Sequence, residues 1–165
     1  MRVFRASPTY RPQGSAIHAD QLTGTIEPGT PMQKVIPPRL VEPYLNGQRS
    51  VIAGYVYRVW DCTFRDPADF YEVLGLGYAG SEFSAGMPEI YVLRWRALDM
   101  GTSLVPPAAE NGLGPPGPPR SAIPEFYTLP VPVPVGAEIY RIVAEGEEFI
   151  AQYDGQVWLH PARRL

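Results

Sequence analysis

The chain has 165 residues, carries a formal net charge of −3 at pH 7 and is 45% hydrophobic. This composition excludes a disordered polypeptide, and the length suits one domain, spanning residues 1–165, with a core of its own. The acidic balance provides no basic face for phosphates, so we do not expect nucleic acid as a charge-driven partner.

Cysteine and histidine are scarce. Cys62 is the single cysteine, so no internal disulfide can form, and we expect it to be reduced and mostly buried. Together with His18 and His160 it gives too few ligands for a zinc site, so no metal is predicted. Arginine supplies 13 of the 14 basic residues and Lys34 the other. This bias fits a GC-rich genome or a protein that avoids modifiable lysines.

Targeting signals are missing from the printed chain. The N-terminus lacks the apolar segment of a Sec signal, and no apolar run approaches the roughly 18 residues of a membrane helix. We therefore expect a soluble protein without a membrane partner. It would be cytoplasmic, or exported by a route without a Sec signal.

The first third of the chain is rich in turn-forming glycines and prolines and contains one strongly predicted strand. Residues 2–6 suit a short strand, and residues 8–37 are turn-rich because of their glycines and prolines. Residues 38–45 suit one or two helical turns, weakened by Pro43. Residues 50–61 are rich in β-branched and aromatic side chains and nearly continuously apolar, which predicts a central strand.

A short helix is predicted over residues 67–74. Asp66 is its expected N-cap, Pro67 opens its first turn, and Phe70 begins an apolar i, i+3, i+4 face. The following glycines match G-x-G-x-x-G over residues 75–80. They come after a helix rather than opening one, so they indicate a helix stop and turn and not a dinucleotide loop.

Strands dominate the rest of the chain. A strand is predicted over residues 89–97, a proline- and glycine-rich surface loop over 105–120, and an edge strand or polyproline segment over 129–135. Three apolar runs between 138 and 159, joined by Glu145-Gly146 and Asp154-Gly155, predict a β-meander. The fold class is thus α+β: a mostly antiparallel, twisted β-sheet with one short helix near 67–74 and proline-rich loops.

One stretch resembles the opening segment of mono-ADP-ribosyltransferase toxins. A strand bearing Tyr57-Arg58 is followed by Asp61, then by Arg65 and Pro67 ahead of a short helix. In that family the strand arginine binds the phosphates and ribose of NAD. The resemblance therefore implies that Arg58 binds NAD.

A second stretch resembles the final segment of the same family. There a catalytic glutamate opens a strand, and a Pro/Gly turn returns the chain as another strand, as Glu125 and residues 135–142 could do. The family's glutamate stabilises the oxocarbenium-like state as nicotinamide leaves, an electrostatic role for a fixed carboxylate. The resemblance implies that role for Glu125.

Between these segments, the family has a Ser-Thr-Ser strand that shapes the NAD pocket. Ser81 and Ser84 are the candidates for it here. Ile123 stands where protein-modifying members carry Gln or Glu, which leaves NAD hydrolysis or another acceptor open. The resemblance covers about residues 50–145.

The leading hypothesis is an NAD-consuming enzyme, namely an ADP-ribosyltransferase or NAD glycohydrolase-like bacterial effector or toxin domain, with NAD as its substrate and a target or immunity protein as its partner. It requires Arg58 and Glu125 to face one cleft. The main alternative is a non-enzymatic protein-binding module, such as an immunity, adaptor or particle-structural protein, since proline-rich loops and edge strands suit such surfaces. A small-molecule-binding barrel is the third hypothesis.

Overall fold

A computed structural model of the protein describes residues 26–64, 66–97, 104–105, 123 and 125–161. Its strands are β1 (Pro31–Ile36), β2 (Val51–Arg58), β3 (Glu89–Arg96), β4 (Leu104–Val105), β5 (Phe126–Pro132), β6 (Glu138–Val143), β7 (Gly146–Tyr153) and β8 (Trp158–Leu159). Its helices are α1 (Pro38–Leu45) and α2 (Pro67–Val73), and a single 3-10 turn covers Val59–Asp61.

The strands form one sheet in the order β4-β5-β2-β1-β3-β6-β7-β8, and each neighbouring pair is antiparallel. The prediction of an α+β fold dominated by antiparallel sheet is confirmed. Helix α1 covers residues 38–45, where one or two helical turns were expected, so this prediction is confirmed as well. Its Pro43 is tolerated within eight residues, and the buried Tyr44 anchors it to the sheet.

Strand β1 corrects the sequence interpretation. Residues 8–37 were expected to be turn-rich, yet residues 31–36 form a strand inside the sheet, between β2 and β3. Two of the residues that suggested turns lie on either side of the strand and do not interrupt it. Gly29 has φ +85° in the preceding turn, and Pro37 follows the last paired residue. All six strand residues pair with β3.

The two faces of the sheet carry separate cores. Because side chains alternate along a strand, Met32 and Ile36 of β1 point to the face covered by α1, whereas Val35 joins the core beside α2. Tyr44 anchors the first core and Phe70 the second, and both are fully buried. The sheet is thus enclosed by one short helix on each face.

Several local predictions are confirmed. The Asp66 side chain caps α2 by accepting a 2.9 Å hydrogen bond from the Asp69 amide. Strand β2 lies inside the sheet as expected, although it ends at Arg58, where the 3-10 turn begins. Strands β6, β7 and β8 form the predicted meander, although the first turn lies at Ala144 and Glu145, because Gly146 already pairs with Val143 as the start of β7. Asp154 holds its second turn by accepting from the backbone amides of Gln156 and Val157.

Other predictions fall at the limits of the described residues. The strand predicted over 2–6 lies outside them, as does most of the loop predicted over 105–120, although Val105 belongs to β4. The segment predicted over 129–135 as an edge strand or polyproline contributes the end of β5. Pro132 pairs with Val51 of β2, and β4 pairs with β5 only at Thr128 and Tyr127.

Candidate functional site

The candidate site lies where β1 and β2 diverge. These strands pair at only two positions, Met32 with Arg58 and Gln33 with Tyr57, whereas β1 pairs with β3 along its whole length. Just beyond the paired positions lies a cavity of about 200 Å³. We call it the Lys34 pocket. Its walls come from β1, β2, the segment after α2 and the start of β5: Lys34, Val35, Tyr55, Tyr57, Leu74, Gly75, Leu76, Tyr78, Phe83 and Glu125.

The end of α2 builds the outer wall of the pocket. Gly75 has φ +59°, in the left-handed region that ends helices, and its amide donates to the Glu72 carbonyl. The chain then crosses the pocket, so Leu76 is buried while Tyr78 is half exposed. The glycine-rich run is thus a helix stop and turn, as predicted. The structure adds that it forms part of a pocket.

A buried carboxyl group and a buried phenol meet in this pocket. The Tyr57 hydroxyl donates a 2.5 Å hydrogen bond to Glu125 Oε1, and the two residues are only 3% and 5% exposed. Burial raises the pKa of Tyr57 well above its ordinary value, and the charge and hydrogen bond of Glu125 raise it further. Tyr57 therefore stays protonated and acts as a hydrogen-bond donor.

Lys34 is the only lysine of the chain and is among the residues that line the pocket. Its side chain leaves β1 on the face of Met32 and Ile36, and its amine reaches into the gap between β1 and β2. Its Nζ donates a 3.3 Å hydrogen bond to the Tyr55 carbonyl. The pKa of Lys34 is lowered to about 8, mainly by burial and also by the charge of Arg49, while the negative charge of Glu125 acts in the opposite direction. Burial therefore outweighs the attraction of the carboxylate.

Gly54 lies beside this amine. It has φ +92°, and a Cβ added there would lie 3.4 Å from Lys34 Nζ, close to ordinary contact. The register of β2 against β5 shifts between Ile52 and Gly54, which marks a β-bulge. The left-handed backbone of the bulge is therefore what calls for glycine at this position.

The pocket combines an amine, a carboxyl group and a phenol with apolar walls. Such a set can bind a ligand that has a polar group at one end and an apolar body at the other. An amine whose pKa is lowered by burial can also act as a base or nucleophile near neutral pH. Carboxyl and phenol groups beside it can donate or accept protons.

Arg58 lies on the other side of the sheet from Glu125. Its Nε donates a 2.7 Å hydrogen bond to Asp61, and its guanidinium carbon lies 5.4 Å from the ring centroid of Phe126. Neighbouring residues alternate between faces, so Arg58 and Phe126 point one way and Tyr57 and Glu125 the other. The structure does not bring Arg58 and Glu125 into one cleft, contrary to the expectation.

The two predicted serines border the pocket without lining it. Ser81 Oγ accepts a 3.1 Å hydrogen bond from the Phe83 amide, which stabilises the turn, and Ser84 is exposed. Their neighbours Tyr78 and Phe83 contribute the lining side chains instead. Among the four predicted site residues, Glu125 alone lines the pocket.

Sequence reasoning missed Lys34, because it lies in the segment expected to be turn-rich. One signal could have found it. A single lysine in a chain with 13 arginines is an exception to a strong bias, and an ammonium group in a strand is costly to bury without purpose. The role of Tyr57 required the register between β2 and β5, which no local pattern gives.

No family model, curated protein or solved structure matches the chain. Within the described residues, no group of three or more His, Cys, Asp or Glu side chains is arranged to hold a metal ion. No helix in that part of the chain is long and apolar enough to cross a bilayer. The chemistry of the Lys34 pocket is therefore the basis for a functional proposal.

Proposed function

We propose that the protein binds a small organic ligand in the Lys34 pocket. One observation carries this proposal: Lys34, Tyr57 and Glu125, from three separate segments, converge on one cavity whose other walls are largely apolar. A few convergent polar groups in an apolar cavity are the usual anatomy of a ligand site. The apolar part of the ligand would contact Val35 and Leu76, and its polar part would meet the amine and the carboxyl group.

Burying these polar groups costs free energy that a purely structural role would not require. Burying an amine and a carboxyl group removes both from water, and a well-packed apolar pair often gives equal or greater stability. The pKa of Lys34 is lowered despite the nearby Glu125, so the desolvation of the amine is not fully compensated. Ionisable groups kept at such a cost, inside a cavity, are typical of functional sites.

The volume of the pocket limits the ligand. Ligand cavities commonly measure about 300–1,000 Å³, and this one measures about 200 Å³. It suits a metabolite or fragment rather than a whole dinucleotide. The third sequence hypothesis, small-molecule binding, is thus the one that the geometry supports best. The sheet that provides the pocket has β4 and β8 as its outer strands among the described residues.

A fragment screen by ligand-observed NMR tests the proposal. Neutral and charged fragments would be compared on wild-type protein, Lys34→Met and Tyr57→Phe. We expect fragments that bind wild type and lose at least tenfold in affinity in both variants. Arg141→Met is the matched control, because it removes a cation from the surface ion pairs of β6. Binding that is equal in all four proteins would refute the pocket as the site.

An NAD-consuming activity is the second candidate, and the position of Glu125 in a pocket supports it. Arg58 lies on the opposite face, so Lys34 would have to replace it as the cation, and only the nicotinamide end of NAD would enter the cavity. Release of nicotinamide by wild type, lowered about 100- to 1,000-fold in Glu125→Gln, is the expected result. A protein that neither turns over NAD nor binds any fragment would leave the protein-binding alternative.

A further inference from the structure

Lys34 lines the pocket, and its amine is held in a defined position in the gap between β1 and β2. The Tyr55 carbonyl accepts one of its hydrogens, and the backbone of Gly54 lies beside Nζ. Glu125, oriented by the Tyr57 hydroxyl, lines the same cavity and interacts with the amine electrostatically. A bound molecule would therefore meet a fixed nitrogen and a nearby proton carrier together.

From this geometry we propose that Lys34 is a nucleophile that condenses with a small uncharged aldehyde or ketone to form a Schiff base. The inference rests on the proposed function, because the carbonyl compound must first bind in the Lys34 pocket. The ligand is then an aldehyde or ketone, and the atom that reacts with it is Lys34 Nζ.

The reaction balances without an oxidant or a reductant. The lone pair of neutral Nζ attacks the carbonyl carbon, a C–N bond forms, and the carbonyl oxygen takes up a proton to give a carbinolamine. A second proton, delivered to that oxygen, lets it leave as water, which breaks the C–O bond and leaves a protonated imine. The net change is amine, carbonyl and one proton giving protonated imine and water. Glu125 is suited to carry the protons and to stabilise the cationic imine, and Tyr57 is a positioning residue that orients it.

The protonation state of the amine suits this role. With a pKa of about 8, about one-tenth of Lys34 is neutral at pH 7, against about one in 3,000 for a lysine with the ordinary value of 10.5. A lysine that served only as an ion-pair partner of Glu125 would be held in its charged form. Desolvation of lysine in an apolar pocket is a known way of activating it as a nucleophile.

The charge and walls of the pocket select an uncharged ligand. An anionic group would be repelled by Glu125, and Val35, Leu74 and Leu76 favour an apolar substituent. A cation would face both Lys34 and the nearby Arg49, whose charge already lowers the pKa of the lysine. A short aldehyde such as butanal fits both the polarity and the volume.

Reductive trapping tests the inference. Full-length protein would be incubated with butanal and cyanoborohydride at pH 7.5, then analysed by intact mass and peptide mapping. The chain offers an internal control, because Lys34 is its only lysine and the other amine is the α-amino group, with an ordinary pKa of about 8. We expect alkylation of Lys34 at least tenfold faster than that of the α-amino group, with a rate that saturates as butanal rises.

Three variants separate chemistry from folding. Lys34→Arg should leave only the α-amino label, Glu125→Gln should slow Lys34 labelling at least tenfold, and Arg141→Met should match wild type. Preferential labelling of the α-amino group in wild type, or a rate at Lys34 that rises linearly without saturation, would overturn the inference. Because that comparison uses wild type alone, it stands even if a variant fails to fold.

Binding without reductant distinguishes this inference from the function on which it rests. If 1-butanol or another fragment binds the pocket by NMR but Lys34 is not trapped, ligand binding stands and the Schiff-base role is wrong. If no fragment binds and no trapping occurs, both fail. Saturable trapping at Lys34 supports both together.

Discussion

The phenol of Tyr57 donates a 2.5 Å hydrogen bond to the carboxyl group of Glu125, which lies 68 positions later in the chain. The bond joins β2 to the segment that enters β5, on the same face as α2. It also fixes which way the carboxyl group points in a cavity that contains the only lysine. One contact thus links the packing of two strands to the candidate pocket.

Removing this phenol should destabilise the protein. Tyr57→Phe deletes the donor of this buried hydrogen bond to a carboxyl group, so we expect a loss of about 1–3 kcal/mol in the free energy of unfolding by urea. Tyr91→Phe is the matched control, because the Tyr91 hydroxyl donates to Glu89 at 3.0 Å in a more exposed site. Equal losses in the two variants would show that the buried Tyr57 hydrogen bond stabilises the protein no more than the exposed one of Tyr91.

The N-cap of α2 provides a local test. Asp66→Ala removes the acceptor for the Asp69 amide, and we expect a loss of about 1 kcal/mol in the free energy of unfolding. Asp66→Asn keeps a side-chain oxygen and should cost much less. If both substitutions cost the same, the hydrogen bond is not the source of the stabilisation.

Local signals explain which elements the sequence predicts. Helix α2 follows from its Asp66 N-cap and adjacent proline, and the meander of β6 to β8 follows from turn residues between apolar runs. Strand β1 lacks such a pattern, since the polar Gln33 and Lys34 occupy its middle. Gln33 is nevertheless fully buried, because strands distant in sequence pair on both sides of β1.

The candidate site depends on register, which explains why Glu125 alone of the four predicted residues lines the pocket. The pairing of Val56 with Phe126 decides that Glu125 shares a face with Tyr57 and not with Arg58. A shift of one residue would reverse the outcome, because side chains alternate. The pocket itself forms where β1 and β2 stop pairing, a feature that belongs to neither strand's sequence.

Cys62 should react slowly in the folded protein. It is half-buried beside the α2 core, and the pKa of its thiol is raised to about 12, mainly by burial and also by the charge of Asp61, while the nearby Gln33 and Arg94 act in the opposite direction. The prediction of a mostly buried residue is thus met only in part. At pH 8 about one thiol in 10,000 is ionised, so we expect a thiol reagent to label native protein at least 100-fold more slowly than protein in urea. Equal rates would contradict the structure.

Burial of Lys34 couples folding to pH. The pKa is about 8 in the folded state and 10.5 in the ordinary, unfolded state. Below pH 8 the lysine is charged in both states and its full desolvation cost opposes folding. Between pH 8 and 10.5 the unfolded state binds more protons, so the free energy of unfolding rises with pH. The shift of about 2.5 pH units corresponds to about 3 kcal/mol.

Lys34→Met isolates this effect. Tyr57 and Cys62 have raised pKa values and act in the opposite direction, because each loses its proton first in the unfolded state and so lowers stability in alkali. Subtracting the urea-unfolding curves of Lys34→Met from those of wild type at each pH cancels both. We expect this difference to shift in favour of wild type by about 3 kcal/mol between pH 7.5 and 10.5. Arg141→Met should show no such shift, because its charge is exposed and unchanged over that range. A flat difference for Lys34→Met would mean that the Lys34 amine is hydrated, and that it lacks the neutral fraction on which its role as a nucleophile depends.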